Sequence, residues 1–350
     1  MTPRSAGLSA HGRPLQGLCL RLVHALILFP FCAVAVAQSA GDDPLPSWND
    51  GQARSAIIGF VQKVTNEESA DYVSPAGRIA TFDNDGTLWA EQPLYFQAIY
   101  ALDRVRDLAP EHPEWHDTEP FKSAIDGDVK GLMASGMEGV MKVLLATHSD
   151  VTGEAFTDSV AQWLATSKHP TKGTAYTDLI YQPMLELMDY LRANGFKTFI
   201  VSGGGIDFIR VFAEDVYGIP PEQVMGTTGD ATFEMRDGIP TIIKTGDIVL
   251  VDDKAGKPVG IYRQIGRRPI MAVGNSDGDL EMLQYTTIPR SDTDTTPRLG
   301  VLLHHTDAER EWAYDRQSSI GKLDQALDEA PERGWVVIDM KQDWRRVFPE

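Results

Sequence analysis

A chain of 350 residues is long enough for two domains, or for one large domain carrying an insertion. With 42% hydrophobic and 23% charged residues its composition is that of a globular protein, which argues against disorder over most of its length. The formal net charge of −18 argues against nonspecific nucleic-acid binding, because the Lys/Arg excess that neutralises phosphates is absent.

The first element in chain order is a targeting segment. Arg4, Arg13 and Arg21 give a basic start, Leu22 to Val36 is mostly apolar, and Ala35-Val-Ala37 has the small-x-small pattern of a signal-peptidase site. Residues 1–37 are therefore expected to be a signal peptide cleaved after Ala37, leaving a periplasmic or secreted protein with no membrane attachment. About 15 apolar residues interrupted by His24 and Pro30 are short for a membrane span. Both cysteines, Cys19 and Cys32, lie inside this segment. The mature chain would have none, which removes disulfides, zinc thiolates and a cysteine nucleophile from consideration. Cleavage takes away three arginines and no acids, so the formal charge moves from −18 to −21.

Ala53 to Val64 has the apolar spacing of a helix, and Pro75-Ala-Gly77 breaks the chain before a buried strand, Ile79 to Phe82. From Leu94 to about Leu191 the pattern is nearly all helical, ending in a helix from Tyr181 to Ala193 that Asn194-Gly195 stops. Phe196 to Val201 reads as a buried strand. Met225 to Val251 reads as short antiparallel strands around Arg236-Asp-Gly238. A helix is expected to start at Pro258, followed by strands at Pro269 to Val273 and Leu299 to Leu303. Strands separated by helices predict an α/β protein with a doubly wound, mainly parallel, Rossmann-like sheet. In such sheets, sites collect at the carboxyl ends of the strands.

Three strand ends carry polar residues: Asp83-Asn-Asp85-Gly-Thr87, Ser202-Gly-Gly-Gly205, and Gly274-Asn-Ser-Asp-Gly-Asp279. Two carboxylates as close as Asp83 and Asp85 repel at the end of a buried strand unless a cation or a shared proton relieves them. Their order and placement resemble the haloacid dehalogenase-like hydrolase superfamily, in particular its phosphoserine-phosphatase-like branch, over about residues 76–290. Asp83-x-Asp85-Gly-Thr87 is similar to the first motif and Ser202 to the second. Lys257 in Gly256-Lys-Pro258 is taken as the third, and Gly274-Asn275-Ser276-x-x-Asp279 resembles the fourth, with Asn275 where the family usually has Asp.

The resemblance implies that Asp83 is a nucleophile forming an aspartyl-phosphate, and that Asp85 protonates the leaving alcohol and then activates water. It implies Mg2+ held by Asp83, Asp85 and Asn275, with Asp279 as a ligand or outer carboxylate. Lys257 would neutralise Asp83 and the phosphoryl oxygens, and Ser202 with the Gly203 amide would bind one of those oxygens. Residues 38–92 and 182–350 would form the core, and 93–181 an inserted helical cap that excludes water and selects the leaving group. Lys254 and Lys244 compete for the role of Lys257, and Asp277 for that of Asp279. Glu91 could bind a substrate amine, or could instead be a capping or surface residue. His304 and His305, adjacent on a strand, point to opposite faces and are not expected to share a metal.

The implied partner is a small phosphomonoester, with no nucleic acid. A phosphotransferase or mutase, or a noncatalytic phospho-ligand-binding protein hinted at by Asn275 alone, are the alternatives. Because Asn lacks the charge of Asp, Asn275→Asp is expected to lower the magnesium requirement.

Overall fold

The computed structural model describes residues 43–350. The expected signal peptide and its cleavage site lie outside the described residues. The chain forms α1 (Gln52–Thr65), turns at Pro75–Gly77 and enters β1 (Ile79–Phe82), buried at every position. Helices α2 (Phe96–Leu108), α3 (Phe121–Asp126), α4 (Val129–Ala134), α5 (Gly136–His148) and α6 (Gly153–Thr166) follow. Then α7 (Gln182–Ala193) leads into β2 (Lys197–Gly205). Short helices α8 (Ile206–Arg210) and α9 (Ala213–Tyr217) precede a hairpin of β3 (Val224–Arg236) and β4 (Ile239–Leu250). The chain continues through α10 (Gly256–Gln264), β5 (Met271–Gly274), α11 (Leu280–Thr287), β6 (Leu299–Thr306) and β7 (Ala313–Tyr314). It ends with α12 (Gln325–Arg333), β8 (Val336–Asp339) and α13 (Met340–Asp343).

Among the described residues the strands form one eight-stranded sheet in the order β4-β3-β2-β1-β5-β6-β7, with β8 also pairing β6. β1 pairs in parallel with β2 on one side and β5 on the other, and β6 with β5 and β8 are parallel too. Only the β3–β4 and β6–β7 pairs are antiparallel among the named strands. The expected doubly wound, mainly parallel fold is what the chain adopts. Alternate strand residues serve opposite faces: Met271 and Val273 join Ile57 and Leu187 from α1 and α7, whereas Ala272 joins Ile261 and Met282 from α10 and α11. The chain runs from β1 outward to β2 and β3 on one side and returns to β5 and β6 on the other. The order reverses beside β1, and there the ends of β1, β2 and β5 make a crevice.

The helices inserted between β1 and β2 do not form one isolated bundle. Leu102, Val105, Ala124 and Val143 from α2, α3 and α5 share their own apolar cluster with Ile320. Phe96 and Tyr100 at the start of α2, and Val160 and Trp163 of α6, pack into the main core.

Two elements differ from the sequence expectation. The hairpin is long, 13 and 12 residues, and turns at Asp237 and Gly238, both with positive φ as a type I′ turn requires. Its far end leaves Phe233, Met235, Ile239 and Ile242 exposed because no layer covers it. The helix expected from Pro258 begins at Gly256, which places Lys257 in its first turn.

Candidate functional site

β1 aims its last residues into the crevice: the Asp83 amide donates to the Val273 carbonyl of β5 at 2.9 Å, continuing the ladder by one step. The chain then closes a tight turn in which Thr87 and Leu88 amides donate to the Asn84 carbonyl and Gly86 to Trp89. Asn84 faces inward, accepting from the Tyr217 hydroxyl at 3.2 Å, so that Asp83 and Asp85 are the pair left on the crevice side. Gly86 has φ +73°, and a Cβ there would fall 2.1 Å from Asn275 Nδ2 and 2.3 Å from Glu91 Oε1. Any side chain at 86 would drive the turn out of the site.

Lys257, 1% exposed, bridges the turn to the fourth motif. Its Nζ donates to Asp83 Oδ1 at 2.8 Å and to Asp279 Oδ1 at 2.6 Å. Burial opposes the ammonium charge, but Asp279 and Asp83 outweigh it and hold the lysine pKa above its ordinary value. Asp83 is shifted upward by burial and by the Asp279 charge, against the pull of Lys257. Asp279 Oδ2 accepts the amides of Asn275 and Ser276 at 3.0 and 3.1 Å, so both of its oxygens are engaged.

Asp85 is fixed from the opposite side. The Trp89 indole, stacked on Phe212 with centroids 4.5 Å apart, donates to Asp85 Oδ1 at 2.8 Å. Burial raises the Asp85 pKa and the indole hydrogen bond partly offsets this. The other oxygen, Asp85 Oδ2, lies 3.4 Å from the point where a Cβ of Gly204 would sit, and Ser202 Oγ lies 3.3 Å from the same point. Ser202 Oγ accepts the Gly204 amide at 3.0 Å. Gln97, in the first turn of α2, accepts the Gly205 amide through Oε1 at 2.6 Å, tying the inserted helices to this loop.

Beneath the turn lies a layer that sequence reasoning did not assemble. Asn275 donates from Nδ2 to Glu91 Oε1 at 2.7 Å, and its Oδ1 accepts from the Thr87 hydroxyl at 3.0 Å. Glu91 Oε1 also accepts from the Tyr314 hydroxyl at 2.7 Å. His305 stacks on Tyr314 and donates to the Gly86 carbonyl at 2.8 Å and to Glu311 at 3.0 Å. With both ring nitrogens donating, His305 is an imidazolium: burial opposes its charge, but Glu311 outweighs burial and the pKa is raised. Burial lifts the Glu91 carboxyl from 4.5 to about 8. Its burial rules out the surface alternative for Glu91.

The competing residues are elsewhere. Lys244 pairs with Asp207, and Lys254 is exposed. Asp277 accepts the amides of Asp324 and Ala326 at 2.9 and 3.0 Å, capping α12. His304 lies 3.5 Å from Asp315, away from the partners of His305.

The cation that the fold family implies fits this donor set. The converging groups are oxygens, Asp83 Oδ2 accepts no hydrogen bond from the described residues, and the carboxyls of Asp83, Asp85 and Asp279 gather about the single buried ammonium of Lys257. Among the described residues no three His, Cys, Asp or Glu side chains converge on one point. A cation here would rest on one or two carboxylates, carbonyl oxygens and water, which is how magnesium is usually held.

An acidic turn, a serine and a lysine thus gather at the central strand ends of a doubly wound, mainly parallel α/β sheet. The chain belongs to the haloacid dehalogenase-like hydrolases: that family's model matches residues 80–284. No curated protein matches the chain. Among solved structures it is similar to a conserved functionally unknown protein from Anaerococcus prevotii DSM 20548, at 16% identity over 85% of this chain and 94% of that one, with a TM-score of 0.52. It is also similar to a protein of unknown function from Bordetella pertussis Tohama I, at 16% identity over 75% and 98% of the two chains, TM-score 0.45. A probable phosphoserine phosphatase from Vibrio cholerae matches at 16% identity over 66% and 59%, TM-score 0.34. The first likeness bears on the fold alone.

Proposed function

We propose that the protein is an exported, magnesium-dependent phosphomonoesterase that hydrolyses small phosphate esters through an aspartyl-phosphate on Asp83. The observation that carries this proposal is the division of labour between the two carboxylates. Asp83 keeps Oδ2 without a donor near the Lys257 ammonium, and Asp85 has one oxygen held by Trp89 and the other directed to the Gly204 side of the crevice.

In this scheme Asp83 Oδ2 attacks phosphorus as the bond to the leaving oxygen breaks, and Asp85 gives that oxygen a proton. Burial of Asp85 favours the protonated form needed for this step. The now ionised Asp85 takes a proton from water, which attacks phosphorus and releases Asp83. Lys257 and Ser202, with the Gly203 amide, would hold the phosphoryl oxygens. Asp83, the main-chain carbonyl of Asp85 and Asn275 would hold magnesium, with Asp279 as an outer carboxylate; when bound, the ion supplies positive charge to the phosphoryl oxygens. The inserted helices over 93–181 would act as a cap, with Gln97 as a tether between α2 and the phosphate-binding loop.

The purified mature protein is expected to release inorganic phosphate from p-nitrophenyl phosphate over many turnovers in magnesium and to stop when the ion is chelated. No turnover with this ester or with a panel of sugar, amino-acid and nucleoside phosphates would contradict the assignment. Export is a separate proposal. It predicts that protein recovered from the periplasm or medium begins at Gln38, and a soluble cytoplasmic product with residues 1–37 intact would reject it.

A further inference from the structure

Two of the three glycines after Ser202 make way for one side chain of the inserted helices. A Cβ at Gly205 would meet Gln97 Nε2 at 2.6 Å, so glycine is needed there for Gln97 to lie on the loop. A Cβ at Gly204 would meet three oxygens at nearly equal distance: Ser202 Oγ at 3.3 Å, Asp85 Oδ2 at 3.4 Å and Gln97 Oε1 at 3.4 Å. The three oxygens therefore converge on one point that only glycine at 204 leaves clear.

The Gln97 amide is not free to turn. A backbone N–H can only donate, so the 2.6 Å contact with Gly205 fixes the Gln97 oxygen on the loop side and its NH2 toward His148, whose Nε2 lies at 3.2 Å. His148 Nε2 is thus an acceptor. Its Nδ1 donates to Thr147 Oγ1 at 2.7 Å, because that hydroxyl gives its own proton to the carbonyls of Val143 and Leu144, both at 3.0 Å. Burial, with the Lys244 charge behind it, lowers the His148 pKa to about 4 and keeps the imidazole neutral, as this pattern requires. A line of hydrogen bonds from α5 through α2 to the loop after β2 holds Gln97 Oε1 on the point that Asp85 Oδ2 borders.

We infer that Gln97 is a catalytic residue of the second half-reaction: its Oε1 is the second acceptor for the water that hydrolyses the aspartyl-phosphate. The inference rests on the mechanism proposed above. Water brings two O–H bonds. Asp85 takes the proton of one as the water oxygen bonds to phosphorus and the bond from phosphorus to Asp83 breaks; the other hydrogen stays on the product phosphate and is donated to Gln97 Oε1. With both hydrogens accepted, the lone pairs of the water are left to phosphorus. A carbonyl oxygen has two lone pairs, so Gln97 accepts this hydrogen while still holding the Gly205 amide. The first half-reaction has no such need, since the leaving oxygen carries no hydrogen until Asp85 supplies it.

The test follows both half-reactions by rapid quench with dinitrophenyl phosphate and magnesium, comparing wild type with Gln97→Met, which is similar in size and accepts hydrogen bonds only weakly. Dinitrophenolate release in the first turnover is expected to keep its wild-type rate. Phosphate release is expected to slow by about 10- to 100-fold, the scale of a misplaced reactant, so that phosphate accumulates on Asp83. Methanol added as a competing acceptor gives a readout that a merely structural role would not move. It has one O–H, which Asp85 takes, so the ratio of methyl phosphate to inorganic phosphate is expected to rise about 10-fold or more in Gln97→Met. A first turnover slowed as much as phosphate release with the methanol ratio unchanged, or turnover equal to wild type, overturns the inference. If Gln97→Met does not fold, His148→Phe decides: its ring suits the aromatic setting of Tyr100 and Phe156, and it removes the acceptor that orients the Gln97 amide. A raised methanol ratio in that variant supports the inference, and an unchanged ratio overturns it. Wild-type protein that releases no phosphate from this ester overturns the mechanism beneath, whereas an active wild type matched by the variants overturns this inference alone.

Discussion

Asp83→Asn is expected to lower phosphate release by about four to six orders of magnitude, the scale seen when a hydrolase loses its nucleophile. Asn is nearly isosteric, can still accept from Lys257 through its amide oxygen, and leaves the Lys257–Asp279 contact in place. The loss should therefore be chemical. A second readout confirms this: burial raises the Asp83 pKa, so the folded state binds a proton more readily than the unfolded chain. A group raised in this way makes stability fall as pH rises above its unfolded value near 3.8. Removing its charge should leave the metal-free variant at least as stable as wild type near pH 7, measured by urea unfolding. Substantial turnover in a homogeneous preparation, or a variant that no longer folds, would count against this role of Asp83.

Lys257→Met should have the largest effect on stability. Its ammonium is the charge common to Asp83 and Asp279 at the buried floor of the crevice, and Met fills similar volume without charge. Removing one partner of a buried ionic group costs roughly 3–5 kcal/mol, because the carboxylates left behind stay desolvated. The deficit should grow with pH. Without Lys257 the upward shift of Asp83 loses its main opposing influence, so the window in which rising pH destabilises the fold extends further upward. Urea unfolding of metal-free protein at pH 5 and pH 8 tests this; an equal or smaller deficit at pH 8 would show that the lysine does not offset buried carboxylate charge.

How much of this could be read from the chain depended on sequence distance. β1 and the Asp83–Thr87 turn were legible because a short buried run ending in acids and Gly-Thr is a local pattern. The layered architecture followed from strands alternating with helices, and its parallel sheet is what forms. A helix expected from Pro258 does not by itself separate Lys257 from Lys254; the helix begins two residues earlier, and only the fold shows Lys257 turned inward and Lys254 exposed. The floor of the site was not legible. Tyr314 and His305 reach Glu91 and Gly86 from β7 and β6, more than 200 residues along the chain, as the separations of 223 and 219 show. Nothing in the local sequence of Glu91 announces a partner so distant. Alternation alone suggests short strands for the hairpin because it does not reveal how far a ribbon extends past the sheet that supports it.

The most direct measurement is the mass of the acid-quenched Asp85→Asn variant after mixing with an activated aryl phosphate and magnesium. With a good leaving group the first step needs little proton donation, whereas hydrolysis still needs Asp85 to activate water. The account predicts one added phosphoryl group, mapped to the peptide carrying Asp83 and absent when Asp83 is also replaced by Asn. Turnover by Asp85→Asn with no phosphate on Asp83, or phosphate on another residue, would contradict it.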